Sequence, residues 1–253
     1  MSRNLAIVPA YNEEASVAFV VQDLREHAPE FDVVVVDDGS TDETSGRARE
    51  AGAIVLRMPF NVGIGGTVQA GYLYALEHDY DFAIQVDGDG QHEAREVPRL
   101  LRHLQTRKDV DMVTGSRFLV ADEDQDGFRS SRSRRVGIGI FARILTLVTR
   151  QPVTDPTSGF RMTNRRGIEL FARDYPHDYP EVEAVLMIHS HRLRSAEIPV
   201  RMRPRTTGES SINASRSAYY MIKVLLAIFV GLCRARPVVE AGDRSPVTAE
   251  PSL

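Results

Sequence analysis

The stretch Asp32–Asp38, with the sequence DVVVVDD, is the clearest strand signal in the chain. Four consecutive valines favour a strand buried on both faces, as in a parallel sheet, because β-branched side chains pack well on a pleated surface. The strand ends in two acidic residues, and a turn at Gly39–Asp42 can cap a helix that runs to about Ala51. The stretch therefore predicts a strand, loop and helix unit of a parallel sheet.

Apolar runs and helical patterns alternate on both sides of this strand. Further strands are predicted at Asn4–Pro9, Ala53–Arg57, Asp81–Val86, Val110–Thr114 and Ile198–Met202, with helices from Asn12 to His27, after Gly66 through Leu76, and from Glu93 to Leu104. Strands that alternate with helices imply parallel strands covered by helices. The pattern predicts an α/β fold with a mostly parallel central sheet.

Two carboxylates, Asp87 and Asp89, follow the strand that ends at Val86, within the sequence AIQVDGDGQH at Ala83–His92. Two oxygen ligands on a tight turn between glycines suit Mg²⁺ or Mn²⁺, which prefer carboxylate oxygens and keep positions for water and substrate phosphate. Asp and Gly also favour ordinary turns, and D-x-D is too short to exclude that alternative. We predict that the two carboxylates hold a divalent cation against a diphosphate.

Polar loops follow several of the predicted strands at the same relative position. Pro9, Asp38 and Asp87 all fall at predicted strand ends. Ligands of open α/β sheets bind at the carboxyl ends of the strands, so we expect these three loops to converge on one crevice. The loop NVGIGG at Asn61–Gly66 either brings backbone amides to an anion or only turns the chain, because it lacks the Rossmann and P-loop spacings.

The bulk composition excludes several classes of protein. A net charge of −4 argues against general nucleic-acid binding. Cys233 is the only cysteine, which rules out an internal disulfide framework, and the first residues show no signal-peptide pattern. Both observations favour a reducing, cytoplasmic setting.

Five motifs occur in the order seen in inverting family-2 glycosyltransferases, a family that the chain resembles over about 4–231. They are VPAYNEE at Val8–Glu14, VVVVDDGSTDET at Val33–Thr44, NVGIGG at Asn61–Gly66, DGDGQH at Asp87–His92 and GSR at Gly115–Arg117. DPTSGFR at Asp155–Arg161 narrows the resemblance to the polyprenyl-phosphate sugar transferases, the relatives of dolichyl-phosphate mannose synthase. The resemblance implies the Rossmann-like GT-A fold, a nucleotide-sugar donor and a divalent metal, Mg²⁺ or Mn²⁺.

The resemblance also implies roles for individual residues. The residues of the nucleoside pocket would be Pro9, Tyr11, Glu13 and Asp38. Asp87, Gly88 and Asp89 would face the metal and the diphosphate, where a metal neutralises charge on the leaving nucleoside diphosphate and orients it. Gln91 is either a further metal ligand or an exposed helix-cap residue.

The segment Phe118–Arg135 begins acidic and turns basic, which is typical of a mobile lid, and the resemblance places it over the active site. Arginines in this segment, together with Arg117, suit a phosphate acceptor because guanidinium binds phosphate bidentately. For the arginines of the segment a solvated charge run is the alternative. Arg117 is the stronger candidate, since it follows a predicted strand end.

The segment Asp155–Arg161 is expected to re-enter the site, although Pro156 and Gly159 would also suit an ordinary turn. A lipid phosphate arrives ionised and needs no strong general base, so Asp155 would orient a substrate or contact the metal. A sugar hydroxyl would need a carboxylate to accept its proton. The candidates for that base are Asp155, Glu181 and Glu183, of which the last two also suit a helix start. The predicted catalytic residues are Asp89, Asp155 and Arg117.

Arg205 and Ser210 match the family pattern R-x-x-G-x-S, a loop that closes on the donor diphosphate. Closure of such a loop excludes water and limits hydrolysis of the donor. Both residues are therefore predicted to bind the donor.

The segment Ala218–Leu232, AYYMIKVLLAIFVGL, is the most apolar in the chain. It has about 15 residues and contains Lys223, whereas a spanning helix needs about 20 apolar residues, so we predict no transmembrane helix. A helix in the membrane interface and a helix packed on the catalytic domain or a dimer partner are equal alternatives. We predict one domain over 1–234, with this helix at about 217–232, and a disordered tail over 235–253.

We expect an enzyme that moves a sugar from a nucleoside-diphosphate sugar, of the GDP-mannose or UDP-glucose type, to polyprenyl phosphate with inversion. The nearest alternative transfers the sugar to a glycan or small-molecule hydroxyl in cell-envelope or secondary-metabolite biosynthesis. A non-catalytic nucleotide-sugar-binding protein is a further alternative. The sequence identifies neither the sugar nor the base, and a homo-oligomer and peripheral contact with the inner face of the membrane are both open.

Overall fold

A computed structural model describes residues 2–119, 132–177 and 180–203, and within these ranges seven strands form one sheet. The strands are β1 Asn4–Ala10, β2 Phe31–Asp37, β3 Ile54–Arg57, β4 Phe82–Gln85, β5 Met112–Ser116, β6 Arg161–Asn164 and β7 Ser195–Pro199. Their order across the sheet is β3-β2-β1-β4-β6-β5-β7. β1 to β4 are mutually parallel, β6 is antiparallel to β4 and β5, and β7 is parallel to β5.

Helices cover both faces of the sheet. They are α1 Val17–His27, α2 Thr44–Glu50, α3 Gly63–Glu77, α4 Val97–Thr106, α5 Arg132–Thr149, α6 Arg165–Arg173 and α7 Pro180–Ser190, with a 3-10 turn at Ala94–Glu96. Side chains alternate along β2, so that Val34 and Val36 pack with α3, α5, α6 and α7, while Val33 and Val35 pack with α1, α2 and α4. The valine run is therefore buried on both faces, and the predicted α/β fold with a mostly parallel sheet is confirmed.

Two strands differ from the prediction. The strand predicted at Ile198–Met202 lies instead at Ser195–Pro199, because pairing with β5 aligns Met112 with Ser195 and Ser116 with Pro199. β6 was not predicted, since its sequence RMTN is short and polar. Neighbours on both sides hold this strand in the sheet, and its identity depends on them rather than on its own composition.

The basic end of the predicted lid is helical. α5 begins at Arg132, so the end of the segment Phe118–Arg135 belongs to a helix of 18 residues. Residues 120–131 lie outside the described ranges, and the lid over them stays a prediction.

Candidate active site

The loops predicted to carry the site leave one edge of the sheet. The register places Gln85 of β4 beside Arg161 of β6, and Arg161 beside Thr114 of β5. Because β6 runs antiparallel, its amino end lies where its neighbours have their carboxyl ends. Asp38, Asp87 and Arg117, which follow β2, β4 and β5, therefore all leave from this edge.

The loops after β1 and β2 are joined by hydrogen bonds. The backbone N–H of Asn12 donates to Oγ of Ser40 at 2.9 Å, and the backbone N–H of Thr41 donates to Oδ1 of Asn12 at 2.9 Å. The backbone N–H of Glu13 donates to Oγ1 of Thr44 at 2.8 Å. Tyr11, the first residue of the loop after β1, is half exposed. The two loops predicted to form the nucleoside pocket thus form one connected surface.

The two acidic residues at the end of β2 have different partners. Asp37 is fully buried and accepts hydrogen bonds from the backbone N–H of Ser40, at 2.8 Å, and from Oγ of Ser45. Burial alone would raise the pKa of Asp37, but these hydrogen bonds outweigh burial and hold the pKa below its usual value. Asp37 therefore serves to hold the turn after β2.

Asp38 fixes the start of α3. Its carboxylate accepts the backbone N–H groups of Val62 and Gly63 at 2.7 and 3.0 Å. These amides belong to the NVGIGG loop. The anion that this loop binds in the structure is therefore the Asp38 carboxylate. Asp38 is 4% exposed, so its part in nucleoside binding stays a proposal.

The turn after β4 carries the predicted metal ligands. Asp87 lies two residues after the end of β4, and its Oδ1 accepts a hydrogen bond of 3.0 Å from Nε2 of Gln85. A Cβ added to Gly88 would lie 2.9 Å from the carbonyl oxygen of Pro9, so glycine lets the turn pass close to β1. Oδ1 of Asp89 accepts the backbone N–H of Gln91 at 3.0 Å. Pro9, Gly88, Asp89 and Gln91 thus lie together at the sheet edge.

His92 orients Asp87, a role that was not predicted from the sequence. The backbone N–H of Asp87 donates to Nδ1 of His92 at 3.0 Å, so the proton of the neutral ring is on Nε2. Nε2 lies 3.6 Å from Oδ2 of Asp87. The ring is buried and stacks on Phe160, with the centroids 4.7 Å apart. The only sequence signal for this role is the place of His92 in DGDGQH.

The donor set of this turn fits Mg²⁺ or Mn²⁺. The Asp87 side chain is 39% exposed, and Asp89 and Gln91 are partly exposed, so carboxylate and amide oxygens face solvent. Hard oxygen donors that leave positions open suit these cations. No cluster of three or more His, Cys, Asp and Glu side chains able to hold a metal occurs within the described ranges.

Arg117 and Asp155 form a buried bidentate pair. Nε and Nη2 of Arg117 donate to the two carboxylate oxygens of Asp155, each at 2.7 Å, and Nη2 also contacts Oγ1 of Thr157 at 2.8 Å. The backbone N–H of Arg117 donates to the same carboxylate at 3.1 Å. Their side chains are 9% and 0% exposed. The sequence predicted both residues in the site but did not predict that they bind each other.

Glu197 on β7 supports this pair from behind. Its carboxylate accepts the backbone N–H groups of Thr154 and Asp155 at 2.8 and 3.2 Å, and the hydroxyl of Thr154. The same hydroxyl contacts Oγ of Ser116 at 2.6 Å. Burial raises the pKa of Glu197, although the hydrogen bonds from Thr154 oppose that effect. Strand β7 thereby holds Thr154 and Asp155 in place, where the DPTSGFR segment begins.

Arg161 and Glu181 complete the charged groups of the site. Arg161 is 3% exposed, and its Nε and Nη1 have no hydrogen-bond partner within the described part of the chain. Burial raises the pKa of Glu181, the charge of Arg161 opposes the rise, and the charge of Asp87 adds to it. Glu181 lies in the first turn of α7.

Several predicted features lie outside the described ranges. They are Arg205, Ser210, the apolar helix at 217–232 and the tail over 235–253. Their donor-binding, membrane-contact and disorder assignments stay predictions. Among the residues that the structure does describe, no helix is long and apolar enough to cross a membrane.

The chain is similar to proteins of a known family. The model of the family "Glycosyl transferase family 2" matches residues 5–171, which is more than half of the chain. An undecaprenyl-phosphate mannosyltransferase of Micrococcus luteus is 31% identical over 216 residues, covering 83% of this chain and 88% of the relative. A polyprenol monophosphomannose synthase of Mycolicibacterium smegmatis is 28% identical, covering 94% of this chain and 91% of the relative.

A solved structure shares the fold at low sequence identity. The glucosyl-3-phosphoglycerate synthase of Mycobacterium tuberculosis, crystallised with Mn²⁺, UDP-glucose and phosphoglyceric acid, superposes with a TM-score of 0.70 at 20% identity. The match covers 93% of this chain and 82% of that chain. At this identity the likeness concerns the fold.

Proposed function

The chain belongs to glycosyl transferase family 2, and on that premise we propose that it moves a hexose from a nucleoside-diphosphate sugar to polyprenyl phosphate. The resemblance to the polyprenyl-phosphate branch and the GT-A fold are confirmed by the family match, the relatives and the sheet. Two relatives that cover most of the chain are named for polyprenyl-phosphate mannosyl transfer, which supports the acceptor and makes GDP-mannose the first donor to test.

The observation that carries this proposal is a contact between two parts of the chain: the turn after β4, which carries the predicted metal ligands, and the DPTSGFR segment. A Cβ added to Gly159 would lie 3.2 and 3.3 Å from the carboxylate oxygens of Asp87. Gly159 therefore lies directly against the predicted metal ligand, and the Arg117–Asp155 pair begins the same segment. A diphosphate at Asp87 and an acceptor phosphate near Arg117 would thus be neighbours.

In the proposed reaction an oxygen of the acceptor phosphate attacks the anomeric carbon of the donor. The bond from that carbon to the diphosphate breaks on the opposite face, which inverts the configuration. A divalent metal, when bound by Asp87, Asp89 and Gln91, supplies positive charge for the leaving diphosphate. Arg117 orients the acceptor phosphate, and Asp155 holds the guanidinium plane in place. No general base is needed, because the acceptor phosphate is already ionised.

Donor binding is tested by calorimetry with GDP, UDP and dTDP, each with Mn²⁺ and then with excess chelator. We expect one nucleotide to bind in a metal-dependent way, because the carboxylates of the turn repel a diphosphate that lacks a cation. Failure of all three nucleotides to bind in either condition would contradict the proposal.

Acceptor choice is tested by transfer of labelled sugar from the matching donor to polyprenyl phosphate or to glycan hydroxyls. Product in the organic phase only with the lipid phosphate supports the proposal. Transfer to a hydroxyl is the second candidate, and Glu181, whose pKa is raised by burial, would be the carboxylate that accepts the proton. That reaction would be lost in Glu181→Gln, whereas lipid phosphate transfer would not need this carboxylate to accept a proton.

Arg117 and Asp155 are expected to act as one unit. Arg117→Met and Asp155→Asn should each lower kcat/KM for the acceptor about 100-fold, and the double variant should lose little more. The reason is that either single change already removes the oriented guanidinium. Losses that multiply in the double variant, measured with saturating donor, would show that the two residues act separately.

A further inference from the structure

Three residues outside the motifs lie behind the turn that carries the predicted metal ligands. They are Phe19 and Asp23 on α1 and Arg203 beyond β7, and together we name them the anchor. None of them belongs to the motifs that carry the family resemblance.

Arg203 and Asp23 form a bidentate ion pair. Nη1 and Nη2 of Arg203 donate to the two oxygens of Asp23 at 2.8 and 3.2 Å. The Asp23 side chain is 8% exposed and that of Arg203 is 26% exposed. Partial burial and two parallel hydrogen bonds place this pair among the stronger charge-assisted contacts.

Both partners also contact backbone groups of the segment that follows Asp89. The backbone N–H of Arg203 donates to the carbonyl oxygen of Gln91 at 2.8 Å, and Met202 forms a bridge with His92. Oδ2 of Asp23 accepts the backbone N–H of Ala94 at 3.2 Å. The ion pair therefore holds the chain just after Asp89 at two points.

Phe19 is the member of the anchor that lies next to Gly90 in the turn. The guanidinium carbon of Arg203 lies 5.0 Å from the centre of the Phe19 ring. Gly90 has a φ of 76°, and a Cβ added to it would lie 3.5 Å from the same ring. Phe19 therefore lies between Arg203 and the glycine that separates Asp89 from Gln91.

We propose that Asp23, Arg203 and Phe19 are positioning residues that hold the Asp89–Gln91 turn in the geometry that binds the metal. The anchor supplies no ligand and acts through the backbone of Gln91 and Ala94. The inference rests on the proposed metal role of this turn. Partners behind metal ligands have this effect because they set ligand orientation before the metal arrives.

The test compares nucleotide affinity with Mn²⁺ and with excess chelator, and uses the ratio of the two as the metal enhancement. Asp23→Asn and Arg203→Met should each lower this ratio about 10-fold, with the affinity in chelator unchanged. Arg203→Lys, which keeps the charge without the planar fork, should fall between Arg203→Met and the wild type. Phe19→Ala removes the ring that lies between Arg203 and Gly90 and leaves both charges of the ion pair in place, and it too should lower the ratio.

Asp109→Asn is the matched control, because Asp109 also binds an arginine, Arg107, through both oxygens, but at an exposed site before β5. Its ratio should equal that of the wild type. An unchanged ratio in Arg203→Met and Asp23→Asn, or an equal loss in Asp109→Asn, would overturn the anchor alone. Absence of any metal enhancement in the wild type would overturn the proposed metal role and the anchor with it. Because Arg203 is partly exposed, Arg203→Met keeps the test available if Asp23→Asn does not fold.

Discussion

Aspartates that are close together in the sequence have different roles in this site. Asp37 and Asp38 are adjacent and both buried, yet Asp37 holds its own turn and Asp38 holds the start of α3. Asp87 and Asp89 remain partly exposed on a turn in which the backbone N–H of Asp87 donates to His92 and that of Gln91 donates to the Asp89 carboxylate. The partners of each carboxylate, rather than its residue type, decide whether it can receive a cation.

Asp89→Ala should abolish metal-dependent nucleotide binding and lower turnover by about 100-fold or more, because it removes a carboxylate that would balance the cation beside the leaving diphosphate. Calorimetry and a transfer assay measure the two effects. Asp79→Ala, an exposed position before β4, is the control and should retain activity. Full turnover by Asp89→Ala would refute the metal assignment.

Asp37→Asn should lower the free energy of unfolding by about 3 kcal/mol at pH 7, because the buried carboxylate loses charge-assisted hydrogen bonds. The folded pKa of Asp37 is below its ordinary value of 3.8, so the stabilisation is present above that value and is lost as pH falls through the folded pKa. Denaturant unfolding at pH 7 and near pH 3 measures this. The difference between wild type and variant should narrow at the lower pH, and a gap that widens on acidification would contradict the assignment.

Among the secondary-structure elements, β6 brings together the turn that carries Asp87, predicted to bind the donor diphosphate, and the segment that starts at Asp155. Its antiparallel placement between β4 and β5 returns the segment that starts at Asp155 to the edge where Asp87 lies. The backbone N–H of Gly115 donates to the carbonyl oxygen of Phe160 at 2.9 Å, and Oγ of Ser158 donates to the carbonyl oxygen of Gly115 at 2.7 Å. These hydrogen bonds hold the segment in place, and it can lie close to Asp87 because Gly159 has no side chain.

Gly159→Ala should lower kcat by about 10-fold, since the new Cβ would lie 2.9 Å from Nε2 of Gln85 and 3.2 Å from Oδ1 of Asp87. Either side chain must move for the methyl group to fit, and Asp87 is the predicted metal ligand. Gly139→Ala is the matched control, because a Cβ at Gly139 in α5 meets nothing within 4 Å. Equal activity of the two variants would show that the contact with Asp87 does not matter for turnover.

At the scale of the whole molecule, the site lies at one end of a sheet covered by two layers of helices. The two apolar clusters lie on opposite faces of β1 and β2, so each loop leaves from a strand held on both sides. A ligand that joins the β1, β2 and β4 loops would therefore stabilise the entire sheet edge rather than one loop.

Nucleotide and Mn²⁺ together should raise the melting temperature by about 5–10 °C at ligand concentrations near 100 times Kd. Excess chelator should remove the increase, because the nucleotide then lacks the cation that links it to Asp87 and Asp89. Thermal scans of the wild type and of Asp89→Ala measure this. A shift of equal size in the variant would indicate that binding does not involve the turn.

The alternation of strands and helices, the valine run of β2 and the strand-end carboxylates all depend on local chemistry, and the sequence predicted them correctly. Buried β-branched runs and Gly-flanked acidic turns occur within a few residues of chain, so a reader of the sequence can find them. β6 and β7 were missed or misplaced because short polar strands are defined by their neighbours. RMTN pairs on both sides, and SAEIP takes its register from β5.

The sequence by itself therefore determined the family, the α/β class and the acidic turn at Asp87 and Asp89. Only the tertiary structure decided that Arg117 binds Asp155, that Asp38 binds the start of α3, and that Arg203 reaches Asp23 across 180 positions of sequence. The physical reason is that a pattern reports which groups a segment offers, whereas a bidentate pair needs two segments at a fixed distance and angle. That distance is set by the packing of the whole sheet.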